Sequence, residues 1–211
     1  MEKVLYILFG WLLGIGSSLL LRWNDKVSKT NEFKRGLKSE LIETLPRMIK
    51  TVVSLKLSLG TLDNKSILWS KERLEKYHAE MLDEIIPDVG KMLEVPSGQI
   101  ESISQYKEKI LDAGTGKSLK KFELLFLEAY KDKVLLLNLE SQKIIYRTIS
   151  RFDMINQEVE RYLFYFDKTF DPNSLEVNQE NLQKNMEVAI KLISESLYLN
   201  VEDCMVLLSR L

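Results

Sequence analysis

Glu75 and His78 stand three residues apart in a stretch that reads as helix. At that spacing a carboxylate and an imidazole share one face, as in the Glu-x-x-His pairs that hold iron inside helical bundles. Such a centre draws its ligands from more than one helix, and this chain has a single histidine. His78 also adjoins apolar positions rather than further acids. An exposed or partly covered surface histidine is therefore the expected state, and no metal is expected.

Residues 113–118, AGTGKS, have the composition of the tail of a phosphate-binding loop. That loop needs a further glycine where Leu111 stands, and a buried strand before it so that backbone N–H groups converge on phosphate. A charged segment, 106–112, precedes it instead. A helix–helix loop with Lys117, Lys120 and Lys121 facing water is the expectation. Cys204 lies among Val201, Met205 and Leu208 with no base nearby, the setting of a small core residue. With no base for a nucleophile, no paired acids and no expected cofactor, the residues argue against an enzyme. Residues 162–166, YLFYF, are apolar around the whole helix circumference. One face must be core. Phe164 and Tyr165 on the other face, and Trp69 in an expected apolar plug at 67–69, either pack on a neighbouring helix or are candidate partner contacts, because large aromatics anchor interfaces.

These residues must be carried by helices. After Gly116 the chain has no glycine and only Pro172, and that scarcity of breakers favours helix. Apolar residues recur in steps of three and four at Phe33, Leu37, Leu41, Leu45, Met48, Ile49, Val52 and Val53. Thr30 or Asn31 is a candidate start for this helix, with 24–31 either a hinge or a continuation of the preceding segment as one helix; Pro46 is a kink or break, and Gly60 its end. Further helices are expected at 70–86 with Ser70 as cap, at 97–110 capped by Ser97, at 119–130, at 140–168 after an Asn138 cap, and at 178–211. A turn separates the last two at 171–174. Residues 134–139 read as a buried connector or helical continuation. No long strand alternation and no internal repeat occurs. The fold class is all-α, a bundle of about five to six helices.

Ahead of the bundle lies the longest apolar run, residues 4–21, VLYILFGWLLGIGSSLLL. It has no charge over about 18 residues, the lower length for a membrane span, and as a helix it reaches roughly 27 Å. A cleaved secretory signal is the rival reading. Small residues such as Gly14, Gly16 and Ser17 suit cleavage, but Leu19, Leu20 and Leu21 resume the apolar run, which favours a retained anchor. Arg22, Trp23, Lys26 and Lys29 follow as membrane-interface residues. Gly10, Gly14 and Ser18 form a small-residue stripe at i+4 steps, the pattern for close approach of two membrane helices.

Residues 1–28 are thus expected to be a single transmembrane anchor with a basic flank, and 29–211 a cytoplasmic helical domain. The orientation follows from the Lys and Arg that cluster after the run. Residues 22–60 carry nine Lys or Arg against four acids, whereas 171–211 carry three against seven. The lone cysteine agrees with a reducing compartment. The basic block suits anionic lipid, not nucleic acid. The expected partners are the lipid bilayer, further copies of the chain and a protein whose identity the sequence does not give. The expected function is that of a non-enzymatic scaffold, adaptor or accessory subunit at the cytoplasmic membrane face. The alternative is a sensor-effector of the stress or antiphage type, whose bundle binds a ligand or partner and whose clustered anchors perturb the membrane.

Overall fold

The computed structural model describes residues 2–86, 89–96, 119–170 and 176–211, with side chains from Gly10 onward except at 12, 83, 84, 89 and 176–178. Every regular element among them is helical. In chain order the α-helices are α1 (Glu2–Ser58), α2 (Asn64–Tyr77), α3 (Leu82–Ile85), α4 (Val89–Glu94), α5 (Leu125–Ala129), α6 (Leu139–Lys168) and α7 (Glu176–Leu208). Short 3₁₀ helices lie at Ala79–Met81 and Lys131–Leu136. The expected helix at 97–110, the loop at 113–118 and the turn at 171–174 lie outside the described residues.

Three long helices make the frame. α6 packs most extensively on α7, and α7 in turn on α1. Lys56 at the end of α1 shares a cleft with Ser194 of α7, while Lys34 shares one with Leu211, so these two helices run antiparallel. α6 is antiparallel to α7 as well, since Arg147 meets Asp203 and Glu140 meets Arg210. The core between them is the stripe read from periodicity. Phe33, Leu37, Leu41, Leu45, Met48, Ile49, Val52 and Val53 of α1 are all buried, as are Ile193, Leu197, Val201 and Leu208 of α7. Each such Leu or Ile contributes roughly 1.5–3 kcal/mol of transfer free energy.

α1 is 57 residues long and passes through the 24–31 segment without a break. Thr30 does not start a helix; its hydroxyl donates to the Lys26 carbonyl one turn back (2.8 Å), which an interior threonine can do. The helix also runs through Pro46. It stops at Gly60, whose φ of 66° is the left-handed turn that glycine adopts without a Cβ clash. There the Thr61 N–H reaches the Lys56 carbonyl (2.9 Å) and the Gly60 N–H the Leu57 carbonyl (3.1 Å). This pair of bonds closes off the last carbonyls of a helix.

Two local expectations are corrected. The second helix begins at Asn64, not Ser70, because the Asp63 carboxylate caps it, accepting from the Ser66 N–H (2.8 Å) and hydroxyl (2.5 Å). Ser70 is instead a buried interior residue whose hydroxyl returns to the Ser66 carbonyl. The helix ends at Tyr77 rather than near Ile86. The second correction concerns 119–130. Residues 119–124 are not helical, and only Leu125–Ala129 forms a short helix. Tertiary hydrogen bonds hold the segment. Asn156 of α6 reads the Phe122 backbone at both ends, accepting from its N–H (2.8 Å) and donating to its carbonyl (2.9 Å). Arg47 of α1 donates to the Lys121 carbonyl and lies over the Phe122 ring. The connector at 134–139 is divided: Val134 and Leu137 are buried, whereas Leu135 and Leu139 are exposed. Asn138 does cap α6, accepting from the Ser141 N–H (2.8 Å).

Candidate functional site

The half of α1 that precedes Phe33 leaves the bundle. Large apolar side chains stand uncovered along it: Trp11, Leu13, Leu19, Leu20, Leu21 and Trp23, each 59–70% exposed. A Cβ built on Gly10 or Gly14 would meet nothing within 4 Å, and Ser18 is exposed, its hydroxyl returning to the Ile15 carbonyl (2.9 Å). Arg22 and Lys26 are exposed, and Lys29 pairs with Asp25 (2.7 Å). Among the described residues no helix is long and apolar enough to cross a membrane. The expected span at 4–21 lies partly on side chains outside that description, so the fold itself does not establish a transmembrane helix.

The groups that suggested chemistry are occupied otherwise. His78 closes α2, and its Nε2 lies 2.6 Å from the Ile42 carbonyl of α1. A carbonyl only accepts, so this nitrogen carries the proton. The carbonyl needs it, because Pro46, four residues on, has no N–H to offer. Nδ1 faces Glu80 at 3.6 Å. Glu75 pairs with Lys71 along the helix (3.6 Å). Among the described residues no group of three or more metal-ligating side chains converges. The Cys204 thiol is buried, and burial together with the Asp203 charge pushes it up to about 12, so it stays protonated.

Two neighbouring acids on α7 do work that periodicity does not disclose. Asp203 takes a two-pronged grip from Arg147 and a further bond from Arg151, both on α6. Glu202 accepts from the Trp69 indole N–H (2.5 Å) and from both arms of Arg73 (3.0 and 3.1 Å) on α2. One turn of α7 thus clamps the helices on either side of it. This also settles Trp69. It lies inside α2, is only 6% exposed, and stacks on Tyr198 with ring centroids 4.6 Å apart. The expected loop at 67–69 is corrected to helix, with Trp69 packed against α7. Phe164 is 57% exposed on α6, and Tyr165 beside it is half-buried. The Lys168 ammonium lies 5.9 Å from the Phe164 ring.

Two adjoining clefts, of about 670 and 510 Å³, lie where α1 ends beside α2 and α7. They share Lys56, Ser194 and Glu195. Leu59, Val188 and Lys191 line the first, and Lys65, Tyr198 and an edge of Trp69 the second. The Lys56 ammonium donates to the Ser66 hydroxyl (2.8 Å), which in turn bonds Asp63. Burial raises the Asp63 carboxyl, but its bonds from Ser66 and the Lys56 charge outweigh that and hold it below the usual range. Among the described residues the Ser194 hydroxyl is buried with no hydrogen-bond partner. Comparisons of the chain with protein families, curated proteins and solved structures found no match.

Proposed function

We propose that this chain is a membrane-anchored, non-enzymatic helical scaffold or accessory subunit, with α1 crossing the bilayer once and the bundle on the cytoplasmic side. The observation that carries the reading is the exposed row from Trp11 to Trp23, on the same unbroken helix whose other half is bundle core. Contiguous apolar surface of that extent calls for a cover. The sequence of 4–21, free of charge, matches a lipid cover in length and composition. The basic residues from Arg22 onward support the cytoplasmic side. Commitment of His78 to a backbone carbonyl and burial of Cys204 support action by binding. Self-association rests on the open stripe of Gly10, Gly14 and Ser18.

The clefts favour a second reading, the ligand-responsive sensor-effector. Their volumes fall in the range of small-molecule sites, and Ser194, whose hydroxyl is buried, is among the residues that line both. Membrane extraction separates either reading from a peripheral protein. The chain is expected to stay with membranes through alkaline carbonate and to leave only with detergent, and a reporter fused after Leu211 is expected to act as a cytosolic one. Release by carbonate, or reporter activity on the opposite side, refutes the anchor. For the sensor reading, Trp69 fluorescence and melting temperature are followed through a metabolite and nucleotide screen. A saturable shift abolished by Ser194→Leu supports it, and a flat screen favours the scaffold.

A further inference from the structure

The end of the bundle nearest the exposed half of α1 brings together several segments distant in sequence. Tyr130 and Lys133, at the 3₁₀ helix Lys131–Leu136, share a cleft with Lys29, Glu32 and Phe33 of α1. Asn31, Lys34, Arg35 and Lys38 share another with Leu211 beyond α7. Arg210 and Glu140 join the end of α7 to the start of α6 (3.5 Å). Over residues 22–38, 130–140 and 210 the sequence counts nine Lys or Arg against four acids. Between these charges large apolar side chains are exposed: Tyr130 at 47%, Leu135 at 69% and Leu139 at 64%.

Lysine interleaved with exposed aromatic and leucine side chains is the composition of surfaces that settle into an anionic headgroup layer. The height fits. Lys29 lies six residues beyond Trp23, about 9 Å along the helix, just past the polar layer of roughly 5–8 Å on each side of a bilayer, and a lysine side chain reaches back over that step. Lys133 and Tyr130, level with Lys29, come down to that layer. The space between Trp23 and the first buried residue, Phe33, is about 15 Å along α1, too shallow for a globular domain to enter beneath the bundle. Lipid fits it.

We infer that this end of the bundle is a second membrane contact, in which Tyr130 and Leu135 enter the headgroup layer of an anionic bilayer and Lys131, Lys133 and Lys29 meet its phosphates. The inference rests on the reading of α1 as the anchor. It makes the bundle a body held at two places, by its helix and by its base, rather than one swinging on a stalk.

The test uses the full chain carrying Leu135→Cys labelled with an environment-sensitive fluorophore; Cys204 is buried and does not compete. A second preparation carries the label at Leu59→Cys, at the far end. Both are reconstituted into phosphatidylcholine vesicles with and without phosphatidylserine. The expected result is a blue shift at position 135 in the anionic vesicles, reversed by high salt and by Lys131→Glu with Lys133→Glu, and no shift at position 59. Equal emission in anionic vesicles, neutral vesicles and detergent overturns the inference. So does a shift in detergent that grows with protein concentration, which would assign the face to a second copy. Flotation of the unlabelled chain is scored separately. If the chain does not float with vesicles the anchor reading fails; if it floats and the probe is unmoved, only the second contact fails.

Discussion

Pro46 takes a backbone N–H out of α1, and His78 supplies a replacement to the stranded Ile42 carbonyl from 36 residues away. The two residues therefore depend on each other, and a double-mutant cycle exposes this. His78→Phe keeps a ring and removes the donor; it is expected to cost about 1–3 kcal/mol in urea unfolding of the detergent-solubilised chain. In a Pro46→Ala background, where residue 46 has its own N–H, most of that cost is expected to vanish. Equal costs in both backgrounds would show that the two residues are independent of each other. Glu40 offers a pH test. Its carboxylate accepts from the Phe126 and Leu127 N–H groups (2.6 and 3.0 Å) and so caps α5. Burial pushes its carboxyl up, the two backbone bonds pull it down, and nearby Glu128 and Glu43 add to the rise, which prevails. A raised carboxyl in the native state means that its contribution to stability is full below the ordinary value of 4.5 and is lost as pH rises through the folded value. Glu40→Gln is therefore expected to destabilise most below that ordinary value, the difference narrowing as pH rises. A difference that widens with pH refutes the assignment. Neither pairing was legible in the sequence. Pro46 read as a kink and His78 as a surface residue because each gets its role from a group on another helix.

At the scale of elements, the long helices were legible and the short ones were not. α6 and the core halves of α1 and α7 announce themselves because one apolar stripe repeats over many turns, and Gly60 and Asn138 mark ends by their own chemistry. Residues 119–124 failed because their helical composition is overruled by Asn156 and Arg47, which no local pattern names. The start of α2 failed because Ser70 looked like a cap, while the bonds that define the cap belong to Asp63 and Ser66. Gly36 is another silent position: a Cβ there would overlap the Phe126 ring, so the glycine leaves room for the aromatic stack with Phe33 and Tyr130. The strongest element-scale prediction concerns α7. Ile193 is fully buried and its helix packs on both α1 and α6. Ile193→Asp sets an unpaired carboxylate in that seam and is expected to cost about 4 kcal/mol or more, against about 0.5–1.5 for Ile193→Val. Thermal melts that leave the Asp variant within a degree or two of the parent would make α7 a detachable arm instead of a wall.

At the scale of the whole molecule, the unbroken passage of α1 from Trp11 to the core fixes an angle as well as a height. A continuous helix is a screw, and every residue between two points on it sets their relative azimuth. Gly14 and Phe33 are nineteen residues apart. At about 100° per residue, the small-residue stripe and the core-facing stripe therefore point roughly 100° away from each other. Two copies joined through Gly10 and Gly14 would carry their bundles to the side of the shared axis, not face to face. One residue inserted after Val27 turns the bundle by about 100° and lifts it by only about 1.5 Å; seven restore the azimuth to within about 20° but lift it by about 10 Å. The two insertions thus separate what depends on direction from what depends on distance. Crosslinking between bundles is expected to be lost with one added residue and regained with seven. The lipid response of a probe at position 135 is expected to be lost with seven, and crosslinking indifferent to both insertions would mean that the helix does not transmit its phase.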